Sequence, residues 1–473
     1  MSAASSSPWT APSWLVVPED ANTLAAGVWP ASAARDADGA LSIGGVPVAR
    51  LREQFGTPLY VLDENEVRDH ARRTLDAFRS AAAAHGVQAR VYYAGKAFLS
   101  TEVVRWVTEE GLAVDVCTGG ELQIALAAGA EPSRLGFHGN NKSIPELERA
   151  VEIGIGSIVL DSWIELERVA AIATRRGVTQ AVLVRVNSGV HAETHDFLAT
   201  AHEDQKFGFT LQDAVAAVAR IREIDALAFV GLHCHIGSQI FGTAGFRESA
   251  ARVVELHADL LADGDIPVLN LGGGFGIAYT AADDPTPIEE LAVGIVDAVA
   301  QECAARGIPI PNLAFEPGRV IVGQAGVTLY EVGTIKPVVV SDELTRLYVS
   351  VDGGMSDNAR PALYGAQYSA RIASRTSGAA PALARVVGRH CESGDIVVDA
   401  EYLPADVAPG DLLAVPATGA YCFSLANNYN YVPRPPVVAV RDGEARIIVH
   451  GETIADLLSR DAGLHPAPKE GKA

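Results

Sequence analysis

Between residues 90 and 320 one unit recurs eight times: a short apolar run, a polar or glycine-rich turn, then a stretch of helical periodicity. The apolar runs are VYYAG (91–95), LAVDV (112–116), RLGFHG (134–139), SIVLD (157–161), VLVRVN (182–187), VGLHCHIG (230–237), VLNLGGG (268–274) and LAFEPGR (313–319). The segments between them, such as ELQIALAAG and FRESAARVVELHADLLADG, are rich in Ala, Leu, Glu and Arg. Strands that alternate with helices pair in parallel, because each helix returns the chain to the start of the next strand. Eight such units predict a (β/α)8 barrel, with a doubly wound open sheet as the alternative.

After Arg319 the pattern changes. VTLYEVGTIKPVVV, RLYVSVDGG, ARVVGRHCESGDIVV, DLLAVPATGAY and PVVAVRDGEARIIVHGE are β-rich and broken by Gly, Pro or Asp, which predicts an antiparallel β domain. LSIGGVPVARLREQFGTPLYVL (41–62) has the same strand character but precedes the barrel. At 473 residues the chain is too long for one ordinary core. The predicted organisation is a mobile tail over 1–40, strands in 41–64 that join the C-terminal domain, a barrel over 65–322, a β domain over 323–460 and a flexible tail over 461–473.

Charge narrows the function. The net charge is −21 with no Lys/Arg-rich run, which argues against a nucleic-acid partner. The five cysteines, Cys117, Cys234, Cys303, Cys391 and Cys422, are odd in number and include no C-x-x-C, so neither a disulfide framework nor a cysteine zinc site is expected. A reducing cytoplasm fits that usage. The first 34 residues hold no Lys or Arg, unlike a secretion signal, and no charge-free apolar stretch reaches membrane-spanning length.

Barrel enzymes keep their chemistry at the C-terminal ends of the strands. Those ends carry Lys96, Asp115, His138, Asp161, Arg185 with Asn187, His235, Gly272 to Gly274, and Glu316 with Arg319. Lys96 reads either as a snorkelling side chain or as an amine that forms a Schiff base. His233 and His235 alternate onto one strand face and suit a metal pair, completed by Asp115 or Asp161 in a hydrolase. The other reading has one imidazole stacked on a flat cofactor and Ser238 on a phosphate. LGGGFG matches G-x-G-x-x-G in no register, which disfavours a dinucleotide fold; three successive glycines argue for close backbone approach. Glu316 and Arg319 are either a plain ion pair or a carboxylate for a ring nitrogen and a guanidinium for an anion. Together these features form a kit for pyridoxal phosphate (PLP), with no metal.

At this point the chain resembles the diaminopimelate decarboxylases. The matching stretches are YYAGKAF, DVCTGGEL, HGNNKS, HEDQKFG, GLHCHIGSQ, LGGGFGI, EPGR, VDGGMSDNARPALYGA, CESGD and GAYCFSLANNYN, in order over about residues 50 to 450. The resemblance implies a fold-type III, alanine racemase-like enzyme: a PLP-binding (β/α)8 barrel plus a C-terminal β domain. It implies that Lys96 carries PLP covalently, that His235 stacks on its ring, and that Glu316 faces the ring nitrogen. Asp115, Ser238, Gly274, Pro317, Gly318, Arg319 and Tyr421 complete the cofactor site. Arg319, Arg360, Tyr364, Glu392 and Tyr421 contact meso-diaminopimelate, and Cys391 donates a proton. The cysteine–acid loop serves the partner subunit, so a homodimer with shared active sites is implied. Two positions depart from the family pattern. Ser188 stands where a proline is common, and Gly95, before the lysine, replaces a larger residue and leaves room beside it. Glu316 in place of an arginine favours decarboxylation over racemisation, because an anion stabilises a protonated ring nitrogen.

Overall fold

A computed structural model describes residues 11–190, 206–341 and 344–464. Its described residues fall into two compact units. One comprises Val67–Ile277 and Asp284–Gly323; the other comprises Met1–Glu66, Ala278–Asp283 and Gln324–Ala473.

The first unit is a closed barrel of eight parallel strands. They are β1 (Ala89–Ala94), β2 (Ala113–Val116), β3 (Leu135–Phe137), β4 (Ser157–Leu160), β5 (Gln180–Arg185), β6 (Leu227–His233), β7 (Val268–Asn270) and β8 (Asn312–Phe315). Each pairs with its neighbour in the chain, and β8 closes on β1 through Leu313 opposite Ala89. Closure excludes the open sheet. Where β6 packs against β7 there is no room for a side chain: a Cβ on Gly231 would lie 2.0 Å from the Val268 carbonyl oxygen.

The returning helices start where a hydroxyl can cap them. Thr118, Ser143, Ser162 and Thr210 each accept the backbone N–H three residues on, from Glu121, Glu146, Glu165 and Asp213. At Ser143 the Glu146 carboxylate also returns to the cap N–H, closing a capping box. The acids in these first turns add a favourable interaction with the helix dipole.

The second unit is built on a sheet that runs Ile396–Pro404, Pro381–Val387, Leu344–Val351, Gly326–Ser341, Leu59–Asp63, Val437–Arg441, Glu444–Val449. Leu412–Pro416 also pairs with Gly326–Ser341. The pairing is mostly antiparallel. Two pairs are parallel, Leu344–Val351 with Pro381–Val387 and Leu59–Asp63 with Val437–Arg441.

The expectation of a mobile tail over 1–40 does not hold for its described part. Val28 and Trp29 sit in one apolar cluster with Leu41, Ile43, Leu59, Val61, Val327, Leu329 and Val438, and Ala34–Arg35 pairs with Leu41–Ile43. The sequence misled because these apolar residues are isolated among Ala, Ser and Asp and show no strand or helix period. None of the five cysteines forms a disulfide. Among the described residues no helix is long and apolar enough to cross a membrane.

Because Trp29 fills this core, Trp29→Ala is expected to lower the unfolding free energy by about 3 kcal/mol. Urea unfolding followed by circular dichroism measures it. An unchanged midpoint would show that the segment contributes nothing to the unit.

Candidate active site at the barrel rim

A parallel barrel gathers all eight strand C-termini on one rim. Lys96 follows β1 in the short turn Gly95–Ala97 and is exposed. Asp115 lies within β2, His138 follows β3, Asp161 follows β4, and Arg185 ends β5. His233 ends β6, with His235 and Ser238 just beyond; Asn270 ends β7, and Glu316 follows β8.

Glu316 is the hub. His233 Nε2–H donates to its carboxylate, 3.1 Å from Oε1 and 3.2 Å from Oε2. Asn270 Nδ2–H donates to Oε1 at 2.7 Å, and His138 Nε2 lies 3.4 Å from the same oxygen. The two imidazoles meet edge to face at 5.0 Å. Burial acts to raise the Glu316 pKa, but His138, His233 and the His233 hydrogen bond outweigh it and hold the carboxyl below its ordinary range. Burial pushes both histidines down to about 4, while the Glu316 charge pulls them up.

Asp115 behaves oppositely. Its Oδ1 is 3.1 Å from His138 Nε2, yet neither oxygen accepts a well-aligned hydrogen bond from any described residue. Burial first, then the Glu316 charge, raises it well above the carboxylate range, against the pull of Lys96. The rim therefore holds two carboxyls shifted in opposite directions.

Beyond β7 the backbone itself is the surface. Gly272 and Gly274 have φ of +68° and +113°, and Cβ atoms on Gly272, Gly273 and Gly274 would lie 2.5, 2.1 and 2.5 Å from carbonyl oxygens of Cys234, Glu316 and Gly237. Only glycine can follow this path. The Gly273 N–H donates to His235 Nδ1 at 3.3 Å, which leaves the His235 proton on Nε2. Burial, then the Lys96 and Arg185 charges, holds His235 well below its usual pKa. Arg319, next to Pro317 and Gly318, donates to Ser238 Oγ at 2.7 Å. Gly95 does not leave room beside the lysine as expected: a Cβ there would be 2.8 Å from the Asp115 carbonyl oxygen. Of HEDQKFG, residues 202–205 lie outside the described residues.

The second unit carries the remaining candidates. Arg360 is buried at the start of the helix Arg360–Tyr364; Tyr364, at its end, is exposed. The Arg360 guanidinium lies 4.7, 5.6 and 6.0 Å from the ring centroids of Tyr279, Tyr368 and Tyr421. Tyr421 has φ +65°, a strained backbone for a residue with a Cβ. CESGD divides its labour. Cys391, Glu392, Ser393 and Gly394 are exposed, while Asp395 is buried and accepts the N–H groups of Met355 (2.6 Å) and His390 (2.7 Å). Tyr429 Oη–H reaches Glu392 Oε2 at 3.4 Å, and the Cys391 N–H reaches Asn430 Oδ1 at 3.3 Å. The aspartate is thus the anchor that presents the thiol and the glutamate.

Three features escaped the sequence reading. His233 pairs with His138 and Glu316 rather than with His235, and Asn270 completes that bracket. Tyr279 and Tyr368 surround Arg360. The only advance signal was polarity at strand ends, shared by His138, His233 and Asn270.

The family described as pyridoxal-dependent decarboxylase, pyridoxal binding domain, matches residues 67–323. A diaminopimelate decarboxylase of Mycobacterium tuberculosis is 53% identical over 92% of this chain and 98% of its own. One of Bacillus subtilis is 45% identical over 89% of this chain and 95% of its own. The crystal structure of the diaminopimelate decarboxylase of M. jannaschii in complex with L-lysine superposes with a TM-score of 0.84 at 32% identity, covering 91% of this chain and 98% of that one. With the closed barrel, the glycine path and the Glu316 bracket already in place, this likeness along nearly the whole chain means that it belongs to the diaminopimelate decarboxylase family of pyridoxal-dependent decarboxylases.

Proposed function

We propose that this chain removes CO2 from meso-diaminopimelate to give L-lysine, the last step of lysine synthesis, with PLP held at the barrel rim. The observation that carries this reading is a buried Glu316 carboxyl, bracketed by His138, His233 and Asn270 and held below the ordinary carboxylate range. Such an anion favours a cation placed against it, and a protonated pyridine nitrogen supplies one. The glycine path packs the turns after β6, β7 and β8 directly on one another, since a Cβ at any of its three positions would clash, and its backbone N–H groups would be the seat of a phosphate.

When bound, PLP supplies an electron sink for the charge left at the substrate carbon that loses CO2. Lys96 Nζ would hold the cofactor covalently, Glu316 would hold a proton on its ring nitrogen, and His235 would stack on it. Asp115, whose pKa burial and the Glu316 charge raise, would also line the cofactor. Ser238, Gly274, Pro317, Gly318, Arg319 and Tyr421 would complete the cofactor site. At the substrate, Arg319, Arg360 and Tyr364 offer positive charge or hydrogen bonds, and Glu392 takes the far ammonium. Cys391 Sγ–H delivers the proton that replaces CO2 at carbon.

Cys391 and Glu392 act in the active site of a partner copy, in a homodimer. Their exposure on a loop anchored by Asp395 is consistent with presentation to a second chain, and a two-fold dimer would form two such sites. Cysteines without disulfides suit a cytoplasmic enzyme. One observation favours a second reading: ligand atoms of His138, His233 and Glu316 lie within 4.8 Å of one another, as a divalent metal would require.

Borohydride separates the two readings. Reduction of the holoenzyme is expected to bleach its visible band and leave a pyridoxyl group on Lys96, read by peptide mass mapping. In Lys96→Ala the adduct should vanish and turnover should fall below about a hundredth. Label on another lysine would refute the assignment.

The shared site is tested by complementation. Lys96→Ala and Cys391→Ala homodimers are each inactive; after unfolding, mixing and refolding, activity should return to about a quarter of the parent, since half the dimers are mixed and each holds one intact site. Heterodimers that form but stay inactive would show that the loop serves its own chain.

A further inference from the structure

Arg360 is 7% exposed. A guanidinium withdrawn this far from water usually has a carboxylate partner. Among the described residues none forms an ion pair with it. Its guanidinium donates from one Nη to Tyr368 Oη at 2.5 Å, and aromatic faces supply the other contacts, with Tyr279 nearest at 4.7 Å. Tyr279 and Tyr368 meet edge to face at 5.1 Å and are 5% and 1% exposed.

Tyr279 is delivered there by a built turn. Ala278–Asp283 leaves the barrel unit and clusters with the β unit. Ala278 is in that unit's apolar cluster. Asp283 Oδ2 accepts the N–H groups of Tyr279 and Thr280, both at 2.9 Å, and the Thr280 hydroxyl at 3.1 Å. On the other side, the Cys422 thiol lies 3.5 Å from Tyr368 Oη and 3.5 Å from Asn358 Oδ1.

We infer that Tyr279 and Tyr368 are positioning residues that hold Arg360 as a preformed receptor for the carboxylate at the far end of the substrate. The inference rests on the proposed function and deepens it. Aromatic faces stabilise a desolvated cation without neutralising it. A carboxylate in their place would compete with the substrate's own. Fixing the guanidinium beforehand also removes the side-chain entropy that a free arginine would lose on binding.

The test uses holoenzyme carrying Tyr279→Leu, Tyr279→Phe or Tyr368→Phe. Whichever end of diaminopimelate loses CO2, L-lysine keeps the other carboxylate, whereas cadaverine has neither. KM and kcat for meso-diaminopimelate, and Ki for L-lysine and cadaverine, are measured. Tyr279→Leu should raise KM and the L-lysine Ki about tenfold, with kcat within about twofold and the cadaverine Ki unchanged. Tyr279→Phe, which keeps the ring, should raise both constants less than Tyr279→Leu does. Tyr368→Phe keeps ring and volume, so it covers the case in which Tyr279→Leu fails to fold; it should raise both constants about threefold. Equal shifts for L-lysine and cadaverine, or a lower kcat at constant KM, would overturn the inference. Should the parent fail to turn over diaminopimelate, the functional reading falls. Calorimetry of L-lysine against cadaverine then still decides this point: L-lysine binding weakened by Tyr279→Leu supports it, and absent or unchanged binding overturns it.

Discussion

A carboxylate buried in a protein tends to take up a proton, and the Glu316 bracket prevents this. Its donors come from different strands: His138 after β3, His233 at the end of β6, Asn270 at the end of β7, with Glu316 itself after β8. Residues so far apart in the chain meet because closure places the ends of all eight strands on one rim. In an open sheet β3 and β8 could not both reach one carboxylate. The bracket also acts on Asp115, since the Glu316 charge adds to burial in raising the pKa of that second carboxyl.

The two units use opposite charge logic. In the barrel, a buried carboxylate is bracketed by two imidazoles and an amide. In the β unit, a buried cation is surrounded by aromatic rings and has no carboxylate of its own among the described residues. The Arg360 charge is stabilised without a carboxylate among the described residues, so it favours an anion brought by a ligand. The glycine path completes the barrel site by removing side chains, which brings N–H groups and carbonyls of separate turns into contact.

The barrel was legible in the sequence because each strand is a short apolar run that ends in a polar residue or glycine. Strand lengths were less so. LNLGGG continues without a charge, yet β7 stops at Asn270, since left-handed glycines cannot continue a strand. Lys96, Asp115, His235, Glu316 and Arg319 were legible by position, each close to the C-terminal end of a strand. The roles of His138 and Asn270 were not, because which strand ends face each other depends on register around the closed barrel, and periodicity carries no such information. Tyr279 was hidden for a different reason: it lies in a loop whose destination is the other unit. CESGD showed its cysteine and glutamate as chemistry but not its aspartate as the anchor, because the Met355 N–H that Asp395 accepts comes from 40 residues earlier.

The central claim is that Glu316 carries a negative charge which the reaction uses. Glu316→Gln keeps the shape and can still hydrogen-bond, but removes the charge. Single-turnover decarboxylation of meso-diaminopimelate by PLP-loaded Glu316→Gln enzyme measures this most directly. The account predicts retained cofactor with a chemical step slowed at least about a hundredfold, the scale of a lost electrostatic contact at a reacting centre. A rate within about threefold of the parent, with PLP bound, would contradict it.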